Sequence, residues 1–229
     1  MQSISLNRYK AIIWDCDGVL IDSEVLACSI VVDILKEKGA QITLEEYLHR
    51  FMGKSAVQMM ADLNVAGDFP FAELQKRQKE AFTRHLKATP GIHDVLESVS
   101  MPVAVASGSE MKRLEHTLGL TELLNFFGRH IYSTEMVRNG KPAPDVFLLA
   151  AEKLGVNPKD CLVIEDSPHG VKGAQAAGMD VYAFTGGSHI TSAIRQALIE
   201  AKPTALFNDM SELIAYQSSL KHSRKNPRP

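Results

Sequence analysis

Short runs of consecutive apolar residues recur along the chain, and each is followed by a polar or glycine-containing turn. The runs lie at 11–14, 103–106, 161–164 and 181–184, with a weaker one at 130–132. Runs that are apolar throughout, rather than alternating, are typical of strands buried on both faces of a parallel sheet. Helical patterns lie between them, at 91–98, 110–118, 145–154 and 170–177. The alternation predicts a doubly wound, Rossmann-like α/β core with Trp14 facing the interior.

One interval, between the first strand and about residue 87, breaks this alternation. It has no strand pattern, only helical segments at 25–38, 44–51, 55–63 and 71–86. This predicts a small all-helical cap over 23–87, inserted into a discontinuous core of 1–22 and 88–215 and joined to it by two connections. We expect Asp22 and Ser23 to cap the first helix of this block. The basic, proline-containing tail 216–229 is expected to be disordered.

Composition narrows the possible partners. The formal net charge of −2 does not suggest a nucleic-acid polymer. The three cysteines are widely spaced, which argues against a disulfide framework or a zinc site. No apolar run approaches the roughly 18 residues of a membrane helix, and the N-terminus has no signal-peptide pattern. These features predict a soluble cytoplasmic protein without a membrane partner.

Acidic, hydroxyl and basic side chains follow the carboxyl ends of several predicted strands. They are Asp15 and Asp17, Ser107 with Gly108, Glu165 with Asp166, and Lys141 in an intervening loop. Because the carboxyl ends of parallel strands share one edge of the sheet, we expect these residues to meet there.

This set of groups suits phosphoryl chemistry. Carboxylates without imidazole or thiolate favour Mg²⁺, which completes its shell with water and phosphate oxygens. An aspartate can attack phosphorus and become an aspartyl phosphate. A second acid two positions later lies on the same side of an extended chain, where it can exchange a proton with the leaving oxygen and with water.

Four ordered motifs carry a family resemblance. Residues 15–23, Asp-Cys-Asp-Gly-Val-Leu-Ile-Asp-Ser, are similar to the first motif of the haloacid dehalogenase-like superfamily. Residues 105–109, Val-Ala-Ser-Gly-Ser, resemble the second. Residues 140–145, Gly-Lys-Pro-Ala-Pro-Asp, and 164–167, Ile-Glu-Asp-Ser, resemble the third and fourth. With its helical block after the first motif, the chain looks like the β-phosphoglucomutase-like branch with a small helical cap.

The resemblance implies a role for each acidic position. Asp15 would be the nucleophile and a Mg²⁺ ligand. Asp17 would be the general acid/base and would offer its backbone carbonyl to the metal. Asp166 would be a further ligand, with Glu165 as a supporting carboxylate.

It also implies the groups that hold the substrate. Ser107 and the amide of Gly108 would bind phosphoryl oxygens, and Lys141 would neutralise charge on the nucleophile and the phosphate. In the cap, the turn containing Gly53 and Lys54 resembles the loop that faces the active site in this family. Those two residues are therefore candidates for substrate selection.

Several activities occur in the superfamily, and two features separate them here. Dehalogenases lack the second aspartate, so Asp17 argues against that activity. Mutases of this branch carry a histidine early in the first cap helix, and residues 22–28 contain none. We therefore expect a Mg²⁺-dependent phosphatase for small phosphorylated metabolites, with sugar phosphates favoured, acting as a monomer or dimer. A sugar-phosphate mutase is the alternative, and a phospho-aspartate signalling module or a non-catalytic binding module is less favoured.

Overall fold

The computed structural model describes residue 6 and residues 8–51 and 54–213, and its centre is a six-stranded sheet. All paired strands are parallel, in the order β3-β2-β1-β4-β5-β6. The strands are β1 (Ala11–Trp14), β2 (Val103–Ser107), β3 (Ile131–Ser133), β4 (Cys161–Glu165), β5 (Asp180–Phe184) and β6 (Ala205–Phe207). The predicted parallel α/β fold is confirmed.

Helices cover both faces of this sheet. They are α5 (Ile92–Ser98), α6 (Met111–Leu120), α7 (Leu124–Phe127), α8 (Asp145–Leu154), α9 (Pro168–Ala176) and α10 (Ser192–Glu200). Successive residues of a strand point to opposite faces. In β1, Ile12 and Trp14 accordingly pack in one hydrophobic cluster with α5, α6 and α7, and Ala11 and Ile13 in another with α8, α9 and α10. Burial on both faces explains why the strand is apolar throughout.

Four further helices follow β1 and form the cap. They are α1 (Glu24–Glu37), α2 (Leu44–Arg50), α3 (Ala56–Asp62) and α4 (Phe71–His85). Their buried side chains make a third hydrophobic cluster, separate from the two beside the sheet. The helical block that the sequence predicts therefore has a core of its own.

The two connections between cap and core run side by side. The amide of Asp22 donates to the carbonyl of Lys87 over 3.1 Å, and the amide of Thr89 donates to the carbonyl of Leu20 over 3.0 Å. These bonds tie the two connections together directly behind the loop that follows β1.

The expected N-terminal cap of α1 is wrong. The Ser23 side chain makes no capping bond, because its hydroxyl donates to Asp17 instead. The Asp22 carboxylate accepts from the amide and hydroxyl of Ser188 in the loop after β5. Both side chains are thus used to join segments that are distant in sequence.

Two sequence-based predictions concern residues that the structure does not describe. The tail 216–229, expected to be disordered, lies outside the described residues, as does Gly53 in the cap loop. Within the part of the chain that the structure describes, no helix is long and apolar enough to cross a membrane.

Candidate active site

The side chains predicted to act together lie at the carboxyl edge of the sheet. Asp15 directly follows β1, and its amide continues the ladder to the carbonyl of Ile164 in β4 over 2.9 Å. Glu165 ends β4, and Asp166 follows it. One carboxylate oxygen from each of Asp15, Glu165 and Asp166 lies within 4.8 Å of the others. The parallel arrangement of β1 and β4 is what brings these three buried acids together.

Lys141 reaches this group from the loop between β3 and α8. Its Nζ donates to Asp15 Oδ1 over 2.7 Å, to Glu165 Oε1 over 2.6 Å and to the carbonyl of Ala106 over 3.0 Å. Burial alone would lower the pKa of Lys141, but the neighbouring charges of Asp15 and Glu165 raise it above its usual value. Lys141 is therefore held as an ammonium ion against the candidate nucleophile.

The pKa values of two neighbouring acids, Asp15 and Asp166, are also raised. Burial raises the pKa of Asp15 well above its usual value; Lys141 opposes this shift, whereas Glu165 and Asp166 add to it. Burial, followed by the charge of Glu165, also raises the pKa of Asp166. When all three acids are ionised, the single ammonium of Lys141 leaves two negative charges uncompensated at this point.

A divalent cation with a preference for oxygen fits this group of residues. The donors are carboxylate oxygens, which Mg²⁺ prefers, and its charge would balance the two that Lys141 leaves. Asp15 and Asp166 are the better placed ligands, because both oxygens of Glu165 already have partners. Its Oε1 accepts from Lys141, and its Oε2 accepts from the amides of Asp166 and Ser167 and from the Ser167 hydroxyl, over 2.9–3.0 Å.

Gly18 gives Asp166 the room that it occupies. Its φ is +77°, a backbone conformation that residues with a side chain rarely adopt. An added Cβ would also lie 1.8 Å from Asp166 Oδ2. Gly18 is therefore required both by the turn and by the close approach of Asp166, which follows β4.

Asp17 faces away from Lys141 and has three donors of its own. Ser23 donates to its Oδ1 over 2.5 Å, Arg113 to the same oxygen over 2.9 Å, and Ser109 to its Oδ2 over 2.5 Å. Burial raises the pKa of this carboxyl, but Arg113 and the two hydroxyls outweigh that effect and lower it below its usual value. Asp17 is accordingly an ionised acceptor in this arrangement.

The proposed phosphate-binding residues adjoin Asp17. Ser107, at the end of β2, is buried, and its Oγ accepts from the amide of Ser109 over 3.1 Å. Gly108 is exposed, so its backbone is accessible to a ligand. The Ser107 hydroxyl retains its own hydrogen for donation, as binding to a phosphoryl oxygen requires.

The structure places Lys54 within the cap. Its ammonium pairs with Asp62 of α3 over 2.8 Å and lies 5.1 Å from the centre of the Phe51 ring. These contacts do not connect it with the acids at the sheet edge. A role for Lys54 in substrate selection stays a prediction, as does that of Gly53 beside it.

Three side chains near the site have no counterpart in the sequence-based prediction. Arg113 on α6 pairs with Asp17, and His189 in the loop after β5 places its Nε2 3.0 Å from Asp166 Oδ2. Glu24, the first residue of α1, has its pKa raised to about 7 by burial and then by the charges of Asp17 and Asp166. Each reaches the site from a separate element, and no spacing pattern in the sequence indicates their approach.

Comparison with known proteins agrees with the four motifs. The sequence profile of the haloacid dehalogenase-like hydrolases matches residues 12–184. The 6-phosphogluconate phosphatase of Escherichia coli K12 is 26% identical over 214 residues, which cover 91% of this chain and 94% of the relative. The fructose-1-phosphate phosphatase of the same organism is 31% identical over 179 residues, covering 76% and 95%.

A solved structure extends the likeness to the whole fold. A haloacid dehalogenase-like protein from Agrobacterium tumefaciens is 33% identical and matches with a TM-score of 0.84 over 93% of this chain and 99% of that one. The chain therefore belongs to the family of haloacid dehalogenase-like hydrolases.

Proposed function

We propose that the protein is a Mg²⁺-dependent phosphatase that hydrolyses small phosphorylated metabolites, sugar phosphates in particular, through an aspartyl phosphate on Asp15. The observation that carries the proposal is the group of Asp15, Lys141, Glu165 and Asp166, in which a buried carboxylate is held 2.7 Å from an ammonium ion. Relatives named as phosphatases of 6-phosphogluconate and fructose 1-phosphate support the substrate class.

In the first step, Asp15 attacks the phosphorus atom of the substrate, and the bond from phosphorus to the leaving oxygen breaks. Lys141 stabilises the charge that develops between nucleophile and phosphoryl group, and Ser107 with the amide of Gly108 holds the phosphoryl oxygens. Asp17, protonated for this step, gives its proton to the leaving oxygen. Bound Mg²⁺, held by Asp15, Asp166 and the backbone carbonyl of Asp17, would neutralise charge on the phosphoryl oxygens.

In the second step, water attacks the phosphorus atom of the aspartyl phosphate. Asp17, now ionised, takes a proton from that water, and the phosphate leaves with Asp15 restored. The three donors around Asp17 in this structure suit its ionised form, which is the form that the second step requires.

The domain arrangement in this proposal is the one that the sequence predicts. The core, 1–22 and 88–215, supplies the chemistry, and the cap, 23–87, covers the leaving group and selects the substrate. Closure of such a cap would exclude bulk water while the aspartyl phosphate forms.

The test is phosphate release from 6-phosphogluconate, fructose 1-phosphate and a panel of other sugar phosphates and nucleotides, with Mg²⁺ or with EDTA. We expect turnover with Mg²⁺, none with EDTA, and a loss of at least about a thousandfold in Asp15→Asn, since the substitution removes the carboxylate that forms the intermediate. Asp68→Asn, in an exposed cap turn, is the matched control and should keep wild-type activity. Full activity in Asp15→Asn would contradict the nucleophile assignment, and isomer formation without phosphate release would favour a mutase.

A further inference from the structure

Arg113 joins the candidate acid/base to the cap. On the core side, its Nη2 donates to Asp17 Oδ1 over 2.9 Å. On the cap side, its guanidinium carbon lies 5.0 Å from the centre of the Phe82 ring in α4. Its side chain is 30% exposed, so both contacts are made at the partly buried boundary between α6 and α4.

The guanidinium group lies over the Phe82 ring. An arginine can hydrogen-bond with its edge while an aromatic ring covers its face, whereas a lysine ammonium has no such plane. The Phe82 ring is itself buried, at 3% exposure. Arg113 therefore contacts Asp17 on the core side and a buried residue of the cap on the other.

The contact between α4 and α6 is local. Besides the stack, Thr83 Oγ1 and His116 Nε2 lie 3.4 Å apart, and beside these contacts is a cavity of about 500 Å³ between the helices. Phe82, Arg113 and Ser109 all line that cavity. Loss of the contact with Phe82 would therefore leave the guanidinium group beside this cavity.

The other two donors to Asp17 complete the arrangement. Ser23 lies in the connection that leads into the cap, and Ser109 lies in the loop after β2 that follows the phosphate-binding residues. Arg113 is the donor that carries a charge, and charge-assisted bonds are roughly twice as strong as those of neutral hydroxyls. Without it, two hydroxyls would have to hold the carboxylate.

We propose that Arg113 is a positioning residue that orients the Asp17 carboxylate for proton transfer, and that Phe82 makes this orientation depend on the cap lying against α6. The proposal rests on the acid/base role proposed for Asp17. The position of the cap would thereby affect proton transfer. When α4 moves away from α6, Arg113 loses its contact with Phe82 and is no longer held in the orientation in which it donates to Asp17. A base oriented by a third group is a recurrent arrangement in hydrolytic sites.

Kinetics of Arg113→Ala, Arg113→Lys and Phe82→Leu test this role. A misplacement of about 1 Å in a catalytic group can cost about a hundredfold in rate. We expect kcat of Arg113→Ala to fall by about 10- to 100-fold while KM changes by less than about threefold, with Arg113→Lys recovering part of the loss and Phe82→Leu falling between wild type and Arg113→Ala. Lys112→Ala is the matched control, because this exposed cation precedes Arg113 on α6 and lines the same cavity.

A double-mutant cycle with Asp17→Asn separates positioning from a general structural effect. If Arg113 acts through Asp17, Arg113→Ala should cost little further activity in the Asp17→Asn background, measured in single-turnover reactions. Equal losses in both backgrounds, or a loss in Lys112→Ala as large as in Arg113→Ala, would overturn the proposal.

A crystal structure of Arg113→Ala provides a readout without activity. We expect the Asp17 carboxylate to leave the position in which Ser23 and Ser109 hold it. An unmoved Asp17 would overturn the proposal even in an active enzyme. A wild-type protein that releases no phosphate from any substrate would instead contradict the proposed function, and the crystal structure would still decide the positioning role.

Discussion

Glu24 shows what a single partly buried acid contributes at the junction of cap and core. It begins α1, and it is affected by the charges of Asp17, Asp166, His189 and Arg113. Its ordinary pKa is 4.5, and burial followed by the two aspartates raises it to about 7. Between these values the folded protein holds a proton that the unfolded chain has released.

That difference fixes the sign of a stability effect. In this window the unfolded state binds fewer protons than the folded state. The contribution of Glu24 to the free energy of unfolding therefore falls as the pH rises from about 4.5 to about 7, and it is constant above that range. In EDTA, we expect wild type to lose about 1–3 kcal/mol relative to Glu24→Gln across the window. Urea unfolding at several pH values measures this difference.

Glu115→Gln, at an exposed position of α6, is the control and should run parallel to wild type. A constant difference between wild type and Glu24→Gln across the window would show that Glu24 is not protonated in the folded protein.

For single residues, sequence patterns identify the site residues that directly follow a strand. They miss the site residues that lie on other helices and loops. Asp15, Ser107 and Asp166 can be placed together from sequence, because parallel strands share a carboxyl edge. Arg113 and His189 reach the site from α6 and from the loop after β5, and their approach depends on how those segments pack. A pattern along the chain carries no information about that packing.

At the scale of elements, α9 can approach β4 closely because of a glycine. Gly170 lies in α9, and a Cβ there would be 1.7 Å from Glu165 Oε1, the oxygen that accepts from Lys141. Gly119 in α6 has open space around the same position. Alanine substitution at Gly170 tests the close packing of α9 on Glu165, whereas the same substitution at Gly119 tests helix propensity alone.

The two alanine substitutions should have opposite effects on stability. Gly119→Ala should raise the free energy of unfolding by about 0.5–1 kcal/mol, since alanine is the better helix former. Gly170→Ala should lower it by about 3 kcal/mol or more and reduce activity, because displacement of Glu165 breaks a buried ion pair. Urea unfolding measures both, and a Gly170→Ala protein as stable as wild type would contradict the close packing of α9 on Glu165.

Elements with a consistent apolar run could be predicted from the sequence, and two elements at the edge of the fold could not. Five of the six described strands begin and end within one residue of the predicted runs, because their central positions are buried on both faces of the sheet. Strand β6 was missed because Phe207 is the one buried residue of its three, and α10 was missed because Leu198 is its one buried residue. Both lie at the edge of the fold, where fewer positions are buried.

At the scale of the whole molecule, the described residues form three hydrophobic clusters, two beside the sheet and one in the cap. The absence of strand patterns between residues 23 and 87 was enough to predict an inserted helical unit, because helices and strands differ in the period of their apolar residues. The contact between the units at Phe82 and Arg113 could not be predicted, since it depends on how the cap lies on the core. The family relationship, by contrast, follows from four motifs whose order is already visible in the sequence.

In the proposed reaction, Asp15 carries the phosphoryl group during turnover. Acid quenching during reaction of the Mg²⁺-loaded enzyme with fructose 1-phosphate, followed by borohydride reduction, converts an aspartyl phosphate to homoserine, which mass spectrometry locates in the chain. Asp17→Asn serves beside wild type, because we expect it to hydrolyse the intermediate slowly. The account predicts homoserine at position 15 in both proteins and none in Asp15→Asn. Homoserine at another position, or phosphate release by Asp15→Asn at the wild-type rate, would contradict it.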